Sequence, residues 1–306
     1  MKTVTSPKIT FGHWLQAARL VFLPQGVMPV LLAGAIAYSE GIFRPDYFLI
    51  ALLAATAVQI GLTMFNDTLD FVYGTDQKKV GAKNPYSGGS GVLASGIIRP
   101  RQALGAIFSL YFFALLCAVY LALEVGIGLL WLALLGAAIS IFYSAKPLRF
   151  AYRGIGEVMM FIGYGSVLTA WGYFVHSASL SYEILLIGAI PGLLMWTMIL
   201  INEIPDYEED RAANKKNIVY RIGPRNTKNL FICSLTVLYV YTAVLLFLGV
   251  LPPACALAFL GVPLAVKAAA VARKYYLDPL KVAPANRFMV YIYSLTTVAV
   301  AVGFLI

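Results

Sequence analysis

The sequence predicts an all-α integral membrane protein of about nine transmembrane helices, and three observations carry that prediction. Of the 306 residues 60% are hydrophobic and only 12% charged, which excludes an ordinary soluble domain. The charges are gathered into islands separated by apolar runs of roughly 18–25 residues, the length needed to cross a bilayer as a helix. Lys and Arg also fall almost entirely on alternate loops, the signature of a multi-pass topology.

Taken in order, the runs place helices near 16–38, 46–66, 102–123, 126–143, 154–176, 182–203, 228–249, 252–269 and 286–306. The first carries Arg19, Pro24 and Pro29 and has no small-residue cleavage site, so it reads as a kinked helix rather than a signal peptide. The second and sixth each run into an acidic cluster. Long connections follow both, near 67–101 and 204–227. No domain linker or low-complexity tract interrupts the chain, so residues 1–306 read as a single transmembrane domain. The acidic clusters close even-numbered helices four helices apart, which suggests two four-helix units in parallel orientation with the ninth helix left over.

The net charge of +9 is a matter of topology rather than of nucleic-acid binding. Of the 23 basic residues, only Arg44 falls on the face opposite the N-terminus. By the positive-inside rule the N-terminus and the even-numbered loops are cytoplasmic, and an odd helix count puts the C-terminus outside. That is the pattern of a multi-pass cell-membrane protein whose acidic loops face the cytoplasm. Cys117, Cys233 and Cys255 stand apart within apolar runs, with no spacing that suggests a disulfide framework, zinc or haem.

Carboxylates are costly at membrane depth, so the acidic helix ends are the candidate functional sites. The first cluster contains Asn66, Asp67, Asp70 and Asp76; the second contains Asn202, Glu203, Asp206, Glu208, Glu209 and Asp210. Residues four apart share one helix face, with Cβ atoms roughly 5–6 Å apart. Asn66 therefore pairs with Asp70, Gly74 offers a left-handed stop, and Asp76 can fold back. Asn202, Asp206 and Asp210 make a longer stripe, which Pro205 is expected to kink. Carboxylates so crowded resist full ionisation unless a cation sits among them. Magnesium suits the oxygen donors, because it is held by one or two carboxylates plus phosphate oxygens. Asn66, Asp70, Asp76, Asn202, Asp206 and Asp210 are thus the candidate magnesium ligands, with a diphosphate between the two sets.

Basic residues accompany the acids, and some are expected to contact phosphate oxygens. Arg19, Lys78, Lys146, Arg153, Arg211 and Lys215 are the candidates, beside Lys79, Lys83, Arg149 and Lys216. Asp67 points about 100° away from the Asn66–Asp70 face, so it is expected to support the metal set or act on a proton. Tyr73 and Tyr143 lie near the mouth, either to stabilise a cation or as interfacial aromatics. The Gly-rich stretch from Asn84 to Gly91 suits a lid over the site or a mobile loop equally well. Glu157 and Glu203 receive no role. His13 and His176 fall near opposite membrane faces and cannot form one site.

These residues resemble the signatures of UbiA-type intramembrane prenyltransferases. The matching patterns are Asn66-x-x-x-Asp70-x-x-x-Gly74-x-Asp76 and Asn202-x-x-x-Asp206-x-x-x-Asp210-Arg211, with Tyr143-x-x-x-Pro147 between them. Tyr152-Arg153-Gly154-x-Gly156-Glu157 and Leu23-Pro24 followed by Pro29-Val30-Leu31-Leu32 are most similar to the menaquinone branch, which prenylates dihydroxynaphthoate. The resemblance spans essentially the whole chain. It implies helices around a central cavity, a magnesium-bound prenyl diphosphate and attack by a lipophilic aromatic acceptor, either dihydroxynaphthoate or another ring. Asp70, Asp206, Tyr143 and Asp67 are then the expected catalytic residues. Asn66, Asn202, Tyr73 and the basic candidates are expected to bind substrate. Asn214-Lys215-Lys216-Asn217-Ile218 departs from that branch's Gly-Lys-x-Thr-Leu. A magnesium-dependent transporter is the rival reading. It favours charges at mid-membrane and inverted halves, and the sequence has neither.

Overall fold

The computed structural model describes residues 8–74 and 84–306. Twelve α-helical segments follow in chain order: α1 (Phe11–Ala18), α2 (Leu23–Ser39), α3 (Pro45–Val72), α4 (Pro100–Val125), α5 (Gly128–Ser144) and α6 (Gly156–Ile162). They continue as α7 (Leu168–Ser177), α8 (Tyr182–Glu203), α9 (Tyr207–Ala212), α10 (Ile218–Phe247), α11 (Val262–Tyr275) and α12 (Ala283–Leu305). Several join into longer rods. Among the described residues eight stretches are long and apolar enough to cross a membrane, and α5 is a shorter apolar ninth. The chain is a multi-pass membrane protein.

Neighbouring spans pack on one another around a ring, and α12 closes it by returning to α2. The stretch from Tyr182 to Ala212 is the most enclosed, 67% buried over its apolar window, against 28% for α4. Position in the ring explains the difference. α4 turns Phe108, Phe112 and Phe113 outward, as a lipid-facing helix does, whereas α8 packs against α6, α10 and α12. Small residues let the inner helices approach: Ala33, Ala35 and Ala37 on α2 and Ala51, Ala54, Ala55 and Ala57 on α3 are all buried.

Four helix boundaries differ from the sequence reading, and each has a local cause. The first span begins at Phe11, with His13 Nδ1 accepting from the Thr10 N–H. It breaks at Arg19, whose φ of 45° is left-handed, before Pro24 restarts it. α3 does not end at residue 66 but continues to Val72, and Gly74 at φ 86° stops it, so Asn66 and Asp70 lie within a continuous helix. α10 starts at Ile218 because Asn217 caps it, its side chain accepting from Tyr220 N–H; Gly223 and Pro224 then bend the helix. The fifth span is split by a π-turn at Gly163–Val167, where Gly165 leaves helical geometry. A Cβ on Gly165 would stand 2.7 Å from Gly192 Cα and 2.8 Å from the Gly188 carbonyl oxygen. The two backbones therefore cross there with no room for a side chain.

Candidate functional site

Both acidic motifs open onto one polar cavity with an empty volume of about 1010 Å³. Asn66, Asp67 and Asp70 enter it from α3. Asn202, Asp206 and Asp210 enter from α8 and its continuation. The expected kink is present: Ile204–Asp206 is a 3₁₀ turn with Pro205 in it, after which α9 resumes. Lys215 ties the motifs together. Its Nζ is 3.3 Å from Asp70 Oδ2 and 3.7 Å from Asp210 Oδ1. Burial pulls the Lys215 ammonium towards neutrality, but Asp210 and Asp70 outweigh it and hold its pKa well above the ordinary lysine value.

Residues of both motifs are held by neighbours outside their own helices. Tyr152 OH donates to Asp70 Oδ1 at 2.8 Å and Ser144 Oγ to Asn66 Oδ1 at 2.6 Å. Asn217 Nδ2 donates to Asp210 Oδ2 at 2.7 Å, and Asn286 Nδ2 to Asn202 Oδ1 at 2.8 Å. Such bonds fix carboxylate rotamers that would otherwise splay under mutual repulsion.

The Gly-rich stretch is strapped across both motifs. Ser90 donates to Asp67 through its N–H at 3.1 Å and its hydroxyl at 2.5 Å, and Gly88 N–H donates to Asp206 Oδ2 at 2.9 Å. Asn84 anchors the stretch to Asn286 and to the Pro279 carbonyl. Asp67 thus spends its carboxylate on the strap, which accounts for its position off the Asn66–Asp70 face.

Several sequence expectations fall elsewhere. Tyr73 does not line the cavity: it packs edge-on against Tyr152 at 6.0 Å between centroids, beneath the Arg149 guanidinium. Lys146, Arg153 and Arg211 are exposed and lie outside the cavity wall, Arg153 donating to the Pro147 carbonyl. Arg19 and Tyr143 do line the cavity, Arg19 with its guanidinium 4.6 Å from the Phe22 ring centroid. Asp76 and Lys78 lie outside the described residues, as do Lys79 and Lys83.

Other residues here were not assigned from sequence. Glu157 accepts from Ile218 N–H at 2.6 Å and so seats the start of α10 beside the site. Tyr152, Ser144, Asn217 and Asn286 hold the acids. Tyr152, Glu157, Ser144 and Asn217 stood in quoted stretches without a role of their own; Asn286 stood in none, and it meets Asn202 from 84 residues along the chain.

A second cavity, of about 950 Å³, lies between α3, α4, α5 and α7 and is almost wholly apolar. Ala54, Ala55, Ala114, Ala118, Gly136 and Trp171 are among its walls. Gln59, Leu62, Met160 and Tyr164 line both cavities, so the two meet at a shared collar.

A polar cavity adjoining an apolar one of similar size suits an amphiphile with a charged head. The "1,4-dihydroxy-2-naphthoate octaprenyltransferase" of Bacillus subtilis is 29% identical over 266 residues, 86% of this chain and 84% of the relative. The "2-carboxy-1,4-naphthoquinone phytyltransferase" of Synechocystis is 25% identical, covering 95% of this chain and 92% of the relative. Among solved structures, a UbiA homologue from Aeropyrum pernix aligns with a TM-score of 0.69 at 17% identity, over 92% of this chain and 96% of that one. A UbiA homologue from Archaeoglobus fulgidus bound to GPP and Mg2+ aligns at 0.65 and 16% identity, over 96% and 98%. Residues 27–295 match the UbiA prenyltransferase family itself, and the chain belongs to that family.

Proposed function

We propose that this protein transfers a prenyl group from a polyprenyl diphosphate to a lipophilic aromatic acceptor of the hydroxynaphthoate or quinone-precursor class, releasing diphosphate. The convergence of the two acidic motifs on one cavity, bridged by Lys215, carries the proposal. The relatives' names, naphthoate octaprenyltransferase and phytyltransferase, point to the same chemistry.

The donor set fits magnesium. Asn66, Asp70, Asn202, Asp206 and Asp210 offer hard oxygen atoms, and the two histidines stand apart from them. Among the described residues no three carboxylate, imidazole or thiol groups close on one point. A cation bridging protein and phosphate oxygens needs no such cage. Asp76 completes the proposed ligand set. When bound, magnesium supplies positive charge to the diphosphate leaving group.

The chain's own residues do the rest. Lys215 and Arg19 face the cavity and stabilise the charge that develops on the departing oxygen. Asp70 and Asp206 set the two sides of the diphosphate site. Tyr143, at the cavity wall, presents an aromatic face to the allylic carbon as it gains positive character. The apolar chamber takes the prenyl tail and keeps water from the reacting carbon. Asp67 positions the Gly-rich strap that closes the chamber. The motif-bearing face and the N-terminus are cytoplasmic in this proposal, supported by the basic-residue asymmetry.

Incubating the purified protein with geranylgeranyl and longer prenyl diphosphates and a panel of hydroxyaromatic quinone precursors, read by mass spectrometry, tests this. A prenylated ring and free diphosphate, both lost on magnesium chelation, are expected. No product with any pair contradicts the proposal.

A further inference from the structure

On the polar side of the collar lies a buried amide whose oxygen finds no partner among the described residues. Gln25 is 1% exposed on α2 and lines the polar cavity, and its Oε1 has no partner among the described residues. Its Nε2 donates to the Met198 sulfur, a weak acceptor. Its backbone is held firmly, because the carbonyl oxygen accepts from the hydroxyl of Tyr293, itself fully buried. The neighbouring amide contrasts with it. Gln59 donates to the Phe22 carbonyl at 2.9 Å and accepts from Tyr164 OH at 2.6 Å, so both its ends are used. Gly26 lets α2 approach α3 beside it: a Cβ there would lie 2.6 Å from Gln59 Cβ. A buried amide oxygen without a partner is costly, and one at a cavity wall awaits a donor.

The chemistry of transfer says which donor. With the diphosphate in the polar chamber and the tail in the apolar one, the carbon that joins them lies at the collar. A ring that attacks this carbon must also reach the collar. An electron-rich aromatic acceptor carries a hydroxyl, and a hydroxyl is a hydrogen-bond donor to an amide oxygen. We propose that Gln25 is the acceptor-recognition residue, its amide oxygen taking a hydrogen bond from a ring hydroxyl of the aromatic substrate and setting the ring against the collar. The terminal torsion of a glutamine is broad and its hydrogen bond to the Met198 sulfur is weak, so the amide can turn to meet the ring. This assignment rests on the prenyl-transfer reading and adds to it the means by which the acceptor is chosen.

Gln25→Met keeps the side-chain length and removes the oxygen. With geranylgeranyl diphosphate and 1,4-dihydroxy-2-naphthoate as probes, the variant is expected to raise the acceptor KM by about tenfold to hundredfold. The KM for the diphosphate should stay unchanged. Each mono-methyl ether of the naphthoate is then compared. Wild-type protein should bind one ether as poorly as the variant does, and the variant should no longer distinguish that ether from the free hydroxyl. Gln25→Asn, which withdraws the amide by one methylene, should show the same loss and serves if the Met variant does not fold. An unchanged acceptor KM in a folded variant overturns the assignment. So does an equal rise in both KM values, which marks a mere wall residue. A wild-type protein that still releases diphosphate but binds the free naphthoate and both ethers alike overturns it while leaving prenyl transfer standing. A wild-type protein that prenylates no hydroxyaromatic overturns both.

Discussion

The two acidic motifs share an Asn-x-x-x-Asp opening in the sequence and differ in structure. The opening of the first lies within α3, a continuous 28-residue helix, so Asn66 and Asp70 stand one above the other on a rigid face. The second crosses from α8 through a 3₁₀ turn into α9, so Asn202, Asp206 and Asp210 are spread around a bend. A straight helix offers only a narrow line of donors. A bent one can wrap around a headgroup that the straight one faces. The supports differ accordingly. The first motif is held from outside by Tyr152 and Ser144. The second is held by Asn286 at one end and, at the other, by Asn217, which also caps the next helix.

The largest effects are expected from the acids themselves. Asp70→Ala and Asp206→Ala should each lower kcat/KM for prenyl transfer by at least about 10²–10³-fold, the scale of losing one group that stabilises developing charge. Both variants should elute and melt like folded protein. If one of them keeps wild-type turnover, the two motifs are not equal partners in one site.

Lys215→Met comes next, because it removes a cation that touches both motifs. A loss of about 10²-fold in kcat is expected, with Lys215→Arg recovering part of it. Lys146→Ala, Arg153→Ala and Arg211→Ala, which lie outside the cavity wall, should leave turnover within about threefold of wild type, since exposed ion contacts contribute little. A large loss in any of these three would place that cation in the site after all.

That division shows what the sequence could and could not reveal. That Asn66, Asp70, Asn202, Asp206 and Asp210 line one cavity was legible because the Asn-x-x-x-Asp spacing suits a helix and occurs twice. The membrane spans were legible because apolar run length is a local property. The basic residues were not, because topology alone populates the cytoplasmic face with Lys and Arg and hides the few that point inward. Tyr73 sat at the right depth but on the wrong side of Tyr152. The supports Ser144 and Asn286 were invisible, since each meets its asparagine only through tertiary packing. The extension of α3 past residue 66 was missed for a related reason. Polar residues there read as the end of a membrane helix, whereas the cavity and the strap satisfy them.

Smaller effects separate the motifs by their supports. Tyr152→Phe frees one oxygen of Asp70 and should reduce kcat/KM by about tenfold, the worth of one hydrogen bond to a charged group. Ser90→Ala loosens the strap on Asp67 while Gly88 still holds it to Asp206, so a reduction of only a few-fold is expected, mostly in KM for the diphosphate. Gly192→Val should act on the fold alone, destabilising the crossing at Gly165 by about 1–3 kcal/mol, read as a lower melting temperature in detergent.

The most direct measurement is calorimetric binding of inorganic pyrophosphate to the detergent-solubilised protein, with and without magnesium, in wild type, Asp70→Asn and Asp206→Asn. One headgroup gripped from both motifs predicts magnesium-dependent binding in the wild type and a loss of at least about tenfold in affinity in either variant. Wild-type affinity in one variant, or binding indifferent to magnesium, would contradict the account.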